Sequence, residues 1–199
     1  IMRMMMEEVI QFWDVFEQGF RIKQEGEADI EIHHLIWADN MILIGQSQQD
    51  LQRMVDEITH QIHRTGFKWK PSSLETMTGG RLRKQKVTIT TTNEDGTILQ
   101  FQQRQQIQML GVLLDGEGNS YVSQRFRFRQ AEKLFWKHVK LLKGKGRVQE
   151  RMLAWDQAMV STATYGSGDW AITKEMLEST RRWENHYLRK ILRGVFRYI

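Results

Sequence analysis

Ile30-Glu31-Ile32-His33-His34-Leu35-Ile36-Trp37-Ala38-Asp39-Asn40-Met41-Ile42-Leu43-Ile44 is the stretch on which the fold turns. Two apolar arms flank the polar tip Ala38-Asp39-Asn40, an ordinary β-hairpin signal. Ser47 follows, with Asp50 three positions on, a capping-box pattern that predicts a helix start. Leu51, Met54, Val55, Ile58 and Ile62 then recur on one helical stripe, and Gly66 is placed to end the helix. Phe67-Lys68-Trp69-Lys70 reads as an extended run halted by Pro71. Upstream, residues 4–20 carry a broad apolar helical face (Met5, Met6, Val9, Phe12, Trp13, Phe16) that ends near Gly19.

Downstream, residues 79–115 read as strands. Val87 and Ile89 alternate with Thr, Asn93-Glu94-Asp95-Gly96 is a turn, and residues 97–101 return. Residues 107–114 form a further apolar extended run, and residues 115–120, with their Gly and Asn, mark a domain boundary. From about Arg125 the pattern is helical. Ala131, Leu134, Phe135, Val139 and Leu142 trace one helix, and Val148, Met152, Trp155 and Met159 a second. A third, capped by Thr173, carries Leu177, Tyr187, Leu188 and Ile191. No internal repeat is seen.

The 199 residues suit one large or two small domains, and a 40% apolar, 10% aromatic content is enough for a core. Cys is absent, which excludes disulfides, Cys-ligated zinc and a Cys nucleophile. No apolar run approaches the roughly 20 residues of a membrane span, so a soluble protein without a membrane partner is expected. The chain starts with Ile and has no secretory pattern, so it is expected to be an excerpt of something longer, or a processed product. Its net charge of +5 hides an asymmetry. Residues 1–80 hold 7 Lys/Arg against 13 Asp/Glu, and residues 81–199 hold 22 against 11. An acidic part suited to metal ions and a basic part suited to a polyanion is one reading; chance clustering is the other.

The order of strand, Trp37-Ala38-Asp39-Asn40, strand, amphipathic helix and Gly66-Phe67-Lys68-Trp69-Lys70-Pro71 resembles the palm of a reverse transcriptase. In that family an [FY]-A-D-D hairpin is the catalytic turn. Ile107-Gln108-Met109-Leu110-Gly111 resembles the family's primer-grip hairpin. Ala163-Thr164-Tyr165-Gly166-Ser167 with Trp170, and the run from Leu188 to Gly194, resemble the thumb side of non-LTR retrotransposon polymerases. The matches spread over about residues 4–194.

The resemblance implies an α+β fold, with a palm remainder over residues 1–118 and a helical thumb-like region over residues 119–199. It implies RNA-directed DNA synthesis by nucleotidyl transfer, in which carboxylates hold two Mg²⁺ ions roughly 3.5–4 Å apart. Asp39 would be the metal-binding catalytic residue, Asn40 its altered partner, and Leu110 and Gly111 would help hold the primer. The partners implied are an RNA template, a DNA primer duplex, deoxynucleotides and the upstream fingers and palm of the same polyprotein. An intracellular location is expected, with nucleus or cytoplasm left open. The chain also departs from the family. Asn40 replaces the second Asp, Ser72-Ser73-Leu74 replaces a region where Lys is frequent unless Lys68 or Lys70 substitutes, and Asp14, Asp29 and Glu31 do not match the family's upstream metal motif. The expected outcome is no polymerase activity from this chain alone, with Mg²⁺ belonging to the complete enzyme.

The basic half carries its own signal. Arg129, Lys133, Lys137 and Lys140 form one helical stripe, with charges about 6 Å apart at the helical rise, suited to a phosphate backbone. Arg125 and Arg127 precede it, and Lys143, Lys145 and Arg147 follow in a Gly loop that would let backbone approach phosphates. A solvated helix face is the plain alternative. Contact with a duplex would be through shape and phosphate, with little base reading. Weaker candidates are His33-His34, whose alternation on a strand faces them apart, and His60 with His63, half a metal site or a surface pair. Trp155, Trp170 and Trp183 are either base-stacking or core, and Ser167 lacks the frame of a nucleophile elbow. A reading of another class stays open: a non-catalytic nucleic-acid-binding remnant, or a helical binding module.

Overall fold

At His33 the apolar arm that the sequence presents as one strand is divided in two. The computed structural model, which describes residues 20–23, 26, 29–38 and 40–192, pairs β2 (Ile30–Ile32) antiparallel with β1 (Phe20–Ile22). It pairs β3 (His34–Trp37) with β4 (Asn40–Leu43). The helix expected over residues 4–20 falls, apart from Phe20, outside the described residues. The chain is α+β, built of helices and small, mostly antiparallel two-stranded sheets.

It forms two compact units, Ile1–Thr78 with Lys84–Arg104, and Gly79–Arg83 with Gln105–Ile199. The sequence places its boundary at residues 115–120. Compaction places the hairpin of residues 106–115 with the helices that follow it.

In the first unit, α1 (Gln48–Arg64) starts where the capping pattern puts it. Ser47 Oγ accepts from the Asp50 backbone N–H at 3.1 Å, and Gly66 has φ 73 just past the end. The apolar stripe is the buried one. Met54, Ile58 and Ile62 pack with Ile36, Met41, Leu43 and Trp69, so the helix covers one face of the β3–β4 hairpin. The other face leaves Leu35 and Trp37 exposed. Full burial of such side chains contributes roughly 1.5–3 kcal/mol each. Further along are β5 (Glu75–Thr76), β6 (Thr90–Thr92), β7 (Ile98–Gln100) and β8 (Gln102–Gln103). β6 and β7 form the hairpin expected around Asn93-Gly96, while β5 and β8 share two parallel rungs.

The polar side of α1 is spent on residues 88–92. Gln48 donates to the Thr88 carbonyl at 3.1 Å. Gln52 donates to the Thr90 carbonyl at 2.8 Å and accepts from its N–H at 3.0 Å. His63 Nε2 lies 3.0 Å from the Thr92 carbonyl. Buried Thr59 Oγ1 donates to the Val55 carbonyl at 2.6 Å, accepts from Trp69 Nε1 at 3.1 Å and lies 2.5 Å from Thr91 Oγ1. Its single proton goes to Val55, so Thr91 is the donor between the two hydroxyls.

In the second unit, β9 (Gln106–Met109) and β10 (Val112–Asp115) form a hairpin rather than one run. The helices are α2 (Ser120–Lys137), α3 (Val139–Leu142), α4 (Val148–Ala154), α5 (Ser161–Thr164) and α6 (Lys174–Leu192), with a π-helical segment Trp155–Val160 between α4 and α5. The core is aromatic. Phe128, Phe135, Trp155 and Tyr187 are buried with Ala131, Leu142, Met159 and Ile191. Trp183 stacks on Phe128 at 4.8 Å and on Trp155 at 5.3 Å. Trp155 and Trp183 therefore serve packing, whereas Leu177, placed by periodicity on the apolar face, is 52% exposed.

Candidate nucleic-acid interface

The α2 helix carries the basic stripe, and it starts a turn and a half earlier than its apolar pattern implies. Asn119 is the N-cap, accepting from the Tyr121 N–H at 3.0 Å. Arg125 therefore lies on the helix and extends the stripe to Arg125, Arg129, Lys133 and Lys137, all exposed. Their four-residue spacing covers about 18 Å of helix at the standard rise. Among the described residues none of these four has an ion-pair partner. The nearest acid in sequence, Glu132, accepts a hydrogen bond from the Tyr187 hydroxyl. Burial and that carboxylate push the Tyr187 phenol well above its ordinary pKa.

Lys140 does not continue the same stripe. The helix breaks at His138, with φ −106 and ψ 16, and Lys140 sits exposed on the separate turn α3. In the loop that follows, Lys145 and Arg147 are exposed and Lys143 is half-buried. The glycines there have a structural reason. A Cβ at Gly144 would meet the Lys140 carbonyl oxygen at 2.6 Å, so the chain closes tightly over the end of α3. A Cβ at Gly146 would lie 3.3 Å from a Glu150 carboxylate oxygen, which opposes the idea that this glycine admits phosphates.

Arg127 differs from its basic neighbours on α2. Its Nε donates to the Thr162 carbonyl at 2.9 Å, its Nη1 to the Gly111 carbonyl at 3.2 Å, and its guanidinium lies 4.6 Å from the Tyr165 ring centroid. Desolvation pulls its pKa below the usual arginine value. Half-buried, it clamps the Thr162 and Gly111 carbonyls instead of standing free on the exposed row. The pattern contains the clue: Arg127, Ala131 and Leu134 are spaced i, i+4, i+7, on the apolar side of α2.

The clamp holds the tip of the β9–β10 hairpin. Met109 pairs with Val112, and Leu110 and Gly111 both have positive φ, 48 and 81, as a two-residue primed turn requires. A Cβ at Gly111 would meet the Tyr165 ring at 3.2 Å, so glycine is needed for conformation and for fit. Leu110 is 42% exposed at the tip.

The β3–β4 hairpin is described up to Ala38 and again from Asn40. Trp37 pairs with Asn40, and Ala38 has φ 54. Asn40 therefore belongs to the last rung rather than to the tip; Asp39 lies outside the described residues. Among the described residues no group of three or more His, Asp or Glu is gathered to hold a metal. With an amide at position 40, the donor set of this turn lacks the second carboxylate that a pair of Mg²⁺ ions calls for.

His33 and His34 depart from strand alternation. Their rings stack at 5.0 Å with Nδ1 atoms 2.8 Å apart, because the pairing changes strands at His33. His63 is used by Thr92, as above, and Ser167 begins a short 3₁₀ turn.

Sequence reasoning missed two features of α6 and its neighbour. Trp136 is 56% exposed beside Lys137, and Lys190 Nζ lies 5.0 Å from its ring centroid. Arg182, Asn185, His186, Arg189 and Lys190 line a groove of about 500 Å³. The spacing of Arg182, His186 and Lys190 at i, i+4, i+8 is a legible signal for that face. No helix among the described residues is long and apolar enough to cross a membrane. Comparison with protein-family models, curated proteins and solved structures finds no match.

Proposed function

We propose that this chain binds nucleic acid through the exposed face of α2, as the palm and thumb part of a reverse transcriptase of the non-LTR retrotransposon type. The observation that carries the binding is the row Arg125, Arg129, Lys133 and Lys137, exposed and without an ion-pair partner among the described residues. Four unneutralised cations at helical spacing attract a phosphate backbone, and the release of its counterions drives binding. The polymerase reading is supported by the order of parts: a hairpin around Trp37-Ala38-Asp39-Asn40, the helix behind it, a Leu110-Gly111 hairpin, then a basic helical region. The ligand is an RNA template paired with a DNA primer, held by shape and charge. Mg²⁺ and deoxynucleotides belong to the complete enzyme, and this chain alone does not extend a primer.

A second reading is favoured by Asn40. An amide where the family has an acid fits a module that binds without catalysing. Primer extension with Mg²⁺ separates the two from a self-sufficient enzyme. Neither predicts product. Extension by this chain that is lost in Asp39→Ala would overturn both. An absence of RNA–DNA hybrid binding at low salt would remove the common ground of both.

A further inference from the structure

We propose that Trp136, with the adjoining α6 groove, is a site for a single-stranded nucleotide next to the duplex held by α2; this rests on the nucleic-acid reading above. Trp136 is 56% exposed, although it follows the fully buried Phe135. Its ring meets Phe135 edge-on, at 5.3 Å and 89°. Lys190 Nζ lies over it at 5.0 Å. An indole held at its edge and by a cation is pre-oriented, so little entropy is lost when a base stacks on it.

Lys190 also lines the groove with Arg182, Asn185, His186 and Arg189. The same ammonium thus adjoins an aromatic platform and a cationic groove, the two kinds of contact that the base and the phosphate of one nucleotide unit call for. Among the described residues neither Arg182 nor Arg189 has an ion-pair partner. Aromatic stacking tolerates any base, because every base has a π-face, and inside a duplex both faces are covered by the neighbouring pairs. The site therefore takes a single strand, such as template beyond the paired region, in preference to paired nucleotides.

The test compares two probes, a blunt RNA–DNA hybrid and the same hybrid with a short single-stranded extension. The unmodified chain binds the extended probe roughly tenfold more tightly, the scale of one stacked base. Trp136→Ala abolishes that preference while the blunt hybrid is bound as before, and Trp136→Phe restores most of it. Binding of both probes without preference by the unmodified chain overturns the site and leaves the α2 reading intact. So does a preference that survives Trp136→Ala, or an equal loss on both probes. Failure to bind either probe removes the α2 reading, and this site with it.

Discussion

Helices α1 and α2 place polar side chains at nearly the same spacing, and the protein treats them in opposite ways. On α1, Gln48, Gln52, Thr59 and His63 are all hydrogen-bonded to residues 88–92 of the same unit. On α2, Arg125, Arg129, Lys133 and Lys137 are exposed and have no ion-pair partner among the described residues. Thr59 is buried and Gln52 and His63 are half-buried, so these polar groups must be satisfied within the fold, and with the exposed Gln48 they glue a helix to a strand. Long cations over water need no such partner, so the α2 row is available to one from outside. Periodicity identifies a polar face; only the packing tells whether that face is glue or grip.

Charge reversal gives the largest expected difference between the two helices. Lys133→Glu with Lys137→Glu is expected to weaken hybrid binding about a hundredfold near 0.1 M salt, since two attractive contacts become repulsive. Thermal stability should stay within about 0.5 kcal/mol of the unmodified chain, as for most surface changes. A parallel loss of melting temperature would move the α2 row into the same class as the α1 row.

The reciprocal change on α1 is next in size. Thr59→Val keeps the shape but leaves the Trp69 N–H and the Thr91 hydroxyl without their buried partner. The expected cost is about 2–3 kcal/mol of stability, read by denaturant unfolding, with no change in the salt dependence of binding. An unchanged unfolding midpoint would show that the α1 row is not holding the strand.

A smaller, pH-dependent effect separates core from surface within the second unit. The folded chain raises the Tyr187 pKa, while the unfolded chain releases that proton near the ordinary value of about 10. The hydrogen bond to Glu132 therefore contributes its full stability below pH about 10 and loses it as pH rises further. Tyr187→Phe is expected to cost about 1–2 kcal/mol at neutral pH, and the gap to the unmodified chain should narrow in alkali. A gap that is constant with pH would mean the phenol is not the group that responds.

Much of the first unit was legible because its signals are local. Ser47 with Asp50, the stripe from Leu51 to Ile62, and Gly66 define α1 from side chains a few residues apart. The change of pairing at His33 was not legible. It depends on which strand lies alongside, and β1 and β2 add only three rungs. The two-rung parallel pairing of β5 with β8 is of the same kind. In the second unit, Asn119 has the composition of a loop, and the apolar pattern alone starts α2 near Arg125, five residues past its true start at Ser120. The stripe of Arg129, Lys133 and Lys137 could be read from spacing. The fate of Arg127 depended on the carbonyls of Thr162 and Gly111, remote in sequence, although its spacing with Ala131 and Leu134 put it toward the apolar side. Trp136 was hidden by its neighbour Phe135, because a run of aromatic residues reads as core until one of them is seen to face out.

The salt dependence of binding to a blunt RNA–DNA hybrid tests the central claim most directly. If the α2 face is the grip, log K falls linearly with log salt with a slope of about −3 to −4, the value for four phosphate contacts. In Lys133→Glu/Lys137→Glu the slope should drop by about half. A slope near zero, or one that the double reversal leaves unchanged, would contradict the assignment of nucleic-acid binding to α2.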